Sequence, residues 1–259
     1  MGYEVTSLLD AHEVVRQCSK TWCGSILDLP VGLNEAISCA YLCVRGIDEI
    51  EDHSQIGGPD KIDLLRQIGG MLQTEISVGD FHDVFSSYAA IFRPVTLRMG
   101  EWAMLPPPEI RPRVLDAIST MAERMATWVD RNWLIRTEQD LNHYAFSVAG
   151  SLGLLLSDLW CWYDHTDTNR THAISFGRAL QAVDILVDRT DDAKRGVDFW
   201  PIGWNTIDML CYIDRELELA AAYFNALPVG PARLFCEQPL RDAFEAVDRF
   251  RHGIILCST

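Results

Sequence analysis

Apolar residues recur at helical spacing along almost the whole chain, and strand-like alternation is scarce. The pattern predicts a first helix from about Ser7 to Ser19. Pro30 stands where a second would begin, and Leu33, Ile37, Ala40, Val44 and Ile47 carry that helix to about His53. Ser54 to Asp60 reads as a loop, Lys61 to Ile76 as an amphipathic helix, and Phe81 to Met99 as a further helix kinked at Pro94. After the break at Leu105-Pro-Pro-Pro108, a long helix is expected from about Glu109 to Arg136, with Leu115, Ile118, Met121, Met125 and Trp128 on one side. Helices from about Gln139 to Tyr163, through Gln181 to Asp192, from Thr206 to Leu227 and from Phe235 to Ile255 complete the chain, with Ala193 to Asn205 irregular. The class predicted is all-α, in one domain spanning residues 1–259.

Two acid-bearing stretches stand out, Tyr41-Leu-Cys-Val-Arg-Gly-Ile-Asp-Glu-Ile-Glu-Asp52 and Gln181-Ala-Val-Asp-Ile-Leu-Val-Asp-Arg-Thr-Asp-Asp192. On a helix, Tyr41, Arg45, Asp48 and Asp52 fall within roughly 60° of one another. Gln181, Asp184, Asp188 and Asp192 make a second stripe of the same kind. A solvated acidic face is the commonest meaning of such a stripe. Against it, like charges one turn apart repel, and Ala179 to Val187 is apolar nearly all round, which predicts a buried helix. Buried carboxylates at this density must be protonated, paired or neutralised by a metal. All-oxygen ligands on rigid helices suit Mg²⁺, which often bridges one or two carboxylates to phosphates.

The net charge of −15 argues against nucleic acid and anionic membrane surfaces as partners. It is compatible with an anionic substrate only if a divalent cation inverts the local charge. Eight cysteines in 259 residues make no disulfide or zinc pattern; Cys18, Cys23, Cys39 and Cys43 read as small buried hydrophobes of a reducing compartment. The first residues lack a basic leader, and the apolar run Val148 to Tyr163 reads as too short for a bilayer. The expectation is a soluble, cytoplasmic protein without a transmembrane segment.

The two acidic stretches resemble the aspartate-rich motifs of the squalene/phytoene synthase family. Four further stretches resemble that family in order: Ser19-Lys-Thr-Trp22, Tyr144 with Val148-Ala-Gly-Ser-Leu-Gly153, Phe199-Trp-Pro201, and Phe235-Cys-Glu-Gln-Pro239. The spelling of Asp48 to Asp52 and of the Phe235 stretch leans to the squalene synthase branch. The resemblance implies the isoprenoid synthase fold, with helices around a deep cavity. It also implies Mg²⁺-dependent ionisation of an allylic isoprenyl diphosphate, followed by carbon–carbon bond formation. Head-to-head joining of C15 units is the family default. A cyclase acting on one C15 or C20 diphosphate, a prenyltransferase onto an aromatic acceptor, and an inactive lipid-binding relative are the alternatives.

Under that resemblance Asp48, Asp52, Asp184, Asp188 and Asp192 would hold the metal. Ser19, Lys20, Arg45 and Arg195 would contact diphosphate. Tyr41, Arg45 and Tyr144 would serve catalysis, and Trp22, Gln181, Phe199 and Phe235 would line the pocket. The chain departs from the family pattern in Lys20 for a usual Arg, Trp22 for Phe, Asp184 for Asn and Val187 for Arg. Fewer cations weaken the case for binding two diphosphates at once. The chain ends at Thr259 where squalene synthases continue, so a membrane anchor is not expected. NADPH is possible for a reductive step, but no Gly-x-Gly-x-x-Gly fingerprint supports it. The residues leave the oligomeric state open.

Overall fold

The computed structural model describes residues 8–19 and 21–257, without the side chains of 254–257. No strand occurs among the described residues. The chain divides into two compact units, one ending at Arg131 and the other beginning at Asn132.

The first unit contains α1 (Leu8–Cys18), α2 (Thr21–Leu27), α3 (Leu33–Asp52), α4 (Gly58–Leu72), α5 (Val78–Phe85), a 3₁₀ turn (Ser86–Tyr88), α6 (Pro94–Leu97), α7 (Met99–Trp102) and α8 (Arg111–Asp130). Helix α3 is its axis and packs on α1, α2, α4, α6, α7 and α8. Asn34, near the start of α3, is buried and ties three helices. It accepts from His12 Nε2 at 2.6 Å and donates to the carbonyls of Ile26 and Leu27 at 2.9 and 3.3 Å. A buried amide with all these bonds made fixes α1 and α2 against the motif helix. At Gly46 a methyl group would stand 2.6 Å from Met99 Cε and 3.3 Å from Thr96 Cα, so α3 approaches α6 and α7 closely there. Leu64, Leu65, Ile68 and Leu72 of α4 pack with the α8 face of Leu115, Ile118, Met121 and Met125, all buried as the periodicity predicts. Each contributes roughly 1.5–3 kcal/mol of hydrophobic stabilisation.

Several expected boundaries move. Helix α2 replaces an expected turn, and α3 begins at Leu33 rather than Pro30. The expected helix from Phe81 to Met99 is a series of short pieces, and Pro94 starts one of them instead of kinking a longer one. Helix α8 stops at Asp130, followed by Asn132 and Trp133 in left-handed conformations. Cys39 and Cys43 are buried as expected, whereas Cys18 and Cys23 are half-buried.

The second unit contains α9 (Glu138–Ala145), a π turn (Phe146–Gly150), α10 (Ser151–Asp164), α11 (Arg170–Lys194), α12 (Thr206–Ala226) and α13 (Pro231–Cys257). Helix α11 is central and packs on all the others. Thr137, Asn169 and Asn205 cap α9, α11 and α12 by accepting from backbone N–H groups one turn on. Gly153 and Gly177 allow the closest approach: a side chain at either would run into the backbone carbonyl of Ala173 or Ala149. The small-residue stretch 148–153 therefore seats α10 on α11. Arg178 of α11 grips buried Glu216 of α12 through two hydrogen bonds, Nε to Oε2 at 3.1 Å and Nη2 to Oε1.

The expectation that the apolar run is too short to span a bilayer is corrected. Because the π turn joins α9 to α10 without a break, Glu138–Asp164 is one helical run of 27 residues, long and apolar enough by those criteria. Half of its apolar window is buried in the protein.

Candidate functional site

Helix α3 places Tyr41, Arg45 and Asp48 at successive turns of one face. All three are half-buried; Asp52, the last residue of the helix, is exposed. Arg45 Nη1 donates to Asp48 Oδ2 at 3.2 Å. The Nε of Arg45 is buried and has no acceptor among the described residues. Burial pushes the Asp48 carboxyl up to about 6, even with Arg45 pulling the other way. Burial likewise raises the Tyr41 phenol, opposed by its hydrogen bond with Ser19 and by Arg45. Ser19 follows α1, and its Oγ accepts from the Trp22 N–H at 2.9 Å. The structure thus brings Ser19, Tyr41, Arg45 and Asp48 together, with half-buried Trp22 adjoining. Lys20 lies outside the described residues.

The sequence reading passed over Glu49. Its nearly buried side chain accepts from Arg93 Nε at 2.7 Å, from the Arg93 N–H at 3.3 Å, and from Thr96 Oγ1. Glu49 thereby holds the start of α6 to α3 beside Arg45 and Asp48. Arg93 is 44 residues away, so no local spacing around Glu49 points to this partner.

Helix α11 carries Gln181, Asp184, Asp188 and Asp192 in the stripe that the spacing predicts. The helix is buried along its other face, through Ala179, Ala182, Val183, Ile185 and Leu186. The expectation of buried carboxylates is corrected: Asp184 and Asp188 are exposed, as is Asp52, and of the five aspartates only Asp192 is buried. An apolar run on three sides does not seal the fourth. Solvent reaches Asp184, yet surrounding protein limits its hydration and pushes its carboxyl up to about 7, with Asp188 adding to the push. Desolvation and Asp191 raise Asp188. Asp192 is pushed up to about 6 by burial, then by Asp188, Asp191 and Asp198. Arg195 Nη2 donates to Asp192 Oδ1 at 2.6 Å, so this candidate phosphate ligand is engaged with the motif's own acid.

Tyr144, buried on α9, stacks on Phe199 with ring centroids 4.5 Å apart and planes 20° from parallel. Phe235 lies in an aromatic cluster, against Trp160 at 5.6 Å, with Tyr223 and Phe176 beyond. Among the described residues no three His, Cys, Asp or Glu side chains converge closely enough to hold a metal by themselves. Two carboxylates per ion with diphosphate oxygens and waters completing the shell is the arrangement Mg²⁺ usually takes.

Comparison with known proteins places these features. The sequence model of squalene/phytoene synthase matches residues 15–207, which include both acidic stretches. Squalene synthase of Schizosaccharomyces pombe is 22% identical over 73% of this chain and 43% of its own length. The Homo sapiens and Mus musculus squalene synthases are 25% and 28% identical over 76% of this chain and 47% of theirs. The chain thus spans less than half the length of these curated relatives. A solved complex of TcSQS with the ligand E5700 superposes with a TM-score of 0.76 at 18% identity, over 93% of this chain and 77% of that one. A ligand complex of a dehydrosqualene synthase gives a TM-score of 0.60 at 18% identity, over 94% and 84%. The fold is the isoprenoid synthase helical fold, and the chain belongs to the squalene/phytoene synthase family, whose members are prenyltransferases acting on diphosphates.

Proposed function

We propose that this chain joins two isoprenyl diphosphates head to head, beginning with Mg²⁺-dependent ionisation of an allylic diphosphate, and that the units are C15. The observation that carries the proposal is the α11 stripe. On top of burial, Asp188 pushes up both Asp184 and Asp192, Asp191 pushes up Asp188 and Asp192, and Arg195 donates to the stripe at Asp192. Such a surface is costly bare and favourable around a cation. The donor set is all oxygen, which fits Mg²⁺. Asp48 and Asp52 would hold one ion on α3, and Asp184, Asp188 and Asp192 another on α11. Such ions would neutralise charge developing on the departing diphosphate.

The chain's own groups supply the rest. The unengaged Nε of Arg45 is a donor for a phosphate oxygen, in a place where water competes poorly. Ser19 Oγ, which accepts from the Trp22 N–H and hydrogen-bonds Tyr41, would contact phosphate by giving up the Tyr41 bond. The stacked rings of Tyr144 and Phe199 give an aromatic surface suited to a cationic carbon. The test is incubation with Mg²⁺ and C10, C15 or C20 diphosphates, with and without NADPH, read by product mass. A C30 hydrocarbon from the C15 substrate is the expected product. A cyclised single unit, an alkylated aromatic acceptor, or diphosphate bound without pyrophosphate release would each overturn the reading.

A further inference from the structure

Arg189 lies on α11 between Asp188 and Asp192, and its guanidinium engages the loop that follows the helix. Its Nη2 and Nε donate to the two carboxylate oxygens of Asp198 at 2.9 and 3.3 Å. Its guanidinium carbon sits 3.7 Å from the centre of the Trp200 ring. Asp198 Oδ1 also accepts the Trp200 N–H at 3.1 Å. A planar, two-pronged cation can make both contacts at once; an ammonium cannot. Trp200 is buried, and its Nε1 has no acceptor among the described residues. The indole therefore gains nothing from a hydrogen bond of its own, and the guanidinium packed on its face stands as its polar contact.

Between Asp198 and Trp200 comes Phe199, whose ring lies on Tyr144. On its far side the same loop is stitched to the residues before α9, where the Ile202 N–H donates to the Arg136 carbonyl at 3.2 Å. We propose that Arg189 is a positioning residue that pins the loop 196–204 to α11, holding Phe199 on Tyr144 beside the second acidic stretch. It touches no substrate in this account; its effect passes through Asp198 and Trp200. That this placement serves turnover rests on the function proposed above; the pinning itself does not.

Arg189→Lys and Arg189→Met, with Asp198→Asn, test the inference. Arg189 and Asp198 are both substantially exposed, so these changes should leave the melting temperature nearly unmoved. The local readout is trypsin cleavage after Lys194 and Arg195, which adjoin the loop. All three variants should be cut there about fivefold faster than the parent, with cleavage elsewhere unchanged. Magnesium-dependent pyrophosphate release should fall in kcat with KM little altered. Parental cleavage and turnover in Arg189→Lys would overturn the proposal, since it would show that charge alone suffices. Cleavage rising only in step with thermal unfolding would overturn it too, by reducing Arg189 to a general stabiliser. If the parent protein released no pyrophosphate, the proposed function would fall while the cleavage comparison still judged the clip.

Discussion

Arg45 reaches one turn along α3 to donate to Asp48 at 3.2 Å, yet leaves its buried Nε without an acceptor. One guanidinium thus steadies an acid that burial pushes toward the neutral form and keeps a desolvated donor in hand. Replacing Arg45 by Met should lower pyrophosphate release by about 10²-fold, the usual cost of losing a preorganised donor. Arg45→Lys should recover little of it, because an ammonium cannot serve two acceptors in the same plane. Full rescue by lysine, measured as kcat, would mean that only charge matters at this position.

Asp48→Asn should cut turnover by orders of magnitude while leaving the metal-free protein at least as stable as its parent. The native carboxyl already carries a cost when ionised, shown by its shift up to about 6. Near-normal pyrophosphate release by this variant with Mg²⁺ present would remove α3 from the metal site.

Mg²⁺ and pyrophosphate together should raise the melting temperature well beyond the sum of their separate effects, since each would complete the other's coordination. Strictly additive shifts in a thermal melt would show that the ion and the diphosphate do not share a site.

Asp184 faces acids rather than a base: the causes of its shift are crowding and Asp188. Asp184→Asn should keep much of the activity, because an amide oxygen still coordinates; Asp184→Leu should lose it. The pH dependence has a definite sign. The native carboxyl holds its proton up to about 7, whereas the unfolded one loses it near 4, so the native state binds more protons between those values. Asp184 therefore costs the metal-free protein stability progressively as pH rises through that window. Urea midpoints at pH 5 and pH 8 should show Asp184→Asn gaining on its parent at the higher pH. A constant difference would mean that Asp184 titrates normally.

Glu49→Ala should destabilise the protein by about 1–3 kcal/mol, because Arg93 and Thr96 lose the acceptor that joins α6 to α3. Denaturant unfolding checks this. An unchanged midpoint would show that Arg93, largely exposed, is simply rehydrated.

What could be read in the sequence was what local spacing encodes. The apolar period around Ile37, Val44 and Ile47 and the four-residue step from Asp184 to Asp188 to Asp192 specify helices and their shared faces, and the structure has both. Features set by distant residues were not legible. The Glu49–Arg93 pair joins positions 44 apart, and the Arg189–Asp198–Trp200 clip depends on how an irregular loop folds back. Asp184 was misjudged because a run apolar on most sides says nothing about whether a neighbour covers the remaining one. The breakup of residues 78–102 into short pieces follows from Pro94 sitting where a helix begins, a meaning a proline shares with a kink until packing decides.

The π turn at Phe146–Gly150 has a consequence for which changes in chain length the second unit can survive. A π turn holds one residue more than the α-helical path it replaces, so the segments before and after it are out of phase by about 100°. Upstream, that phase turns Tyr144 onto Phe199; downstream, it turns Gly153 onto the Ala173 carbonyl. Removing one residue from 146–150 would restore the α-helical path between the same two ends, so the aromatic stack and the close seat on α11 could both be kept. Adding a residue would turn the two segments apart by roughly another 100°, and one of the two contacts would be lost.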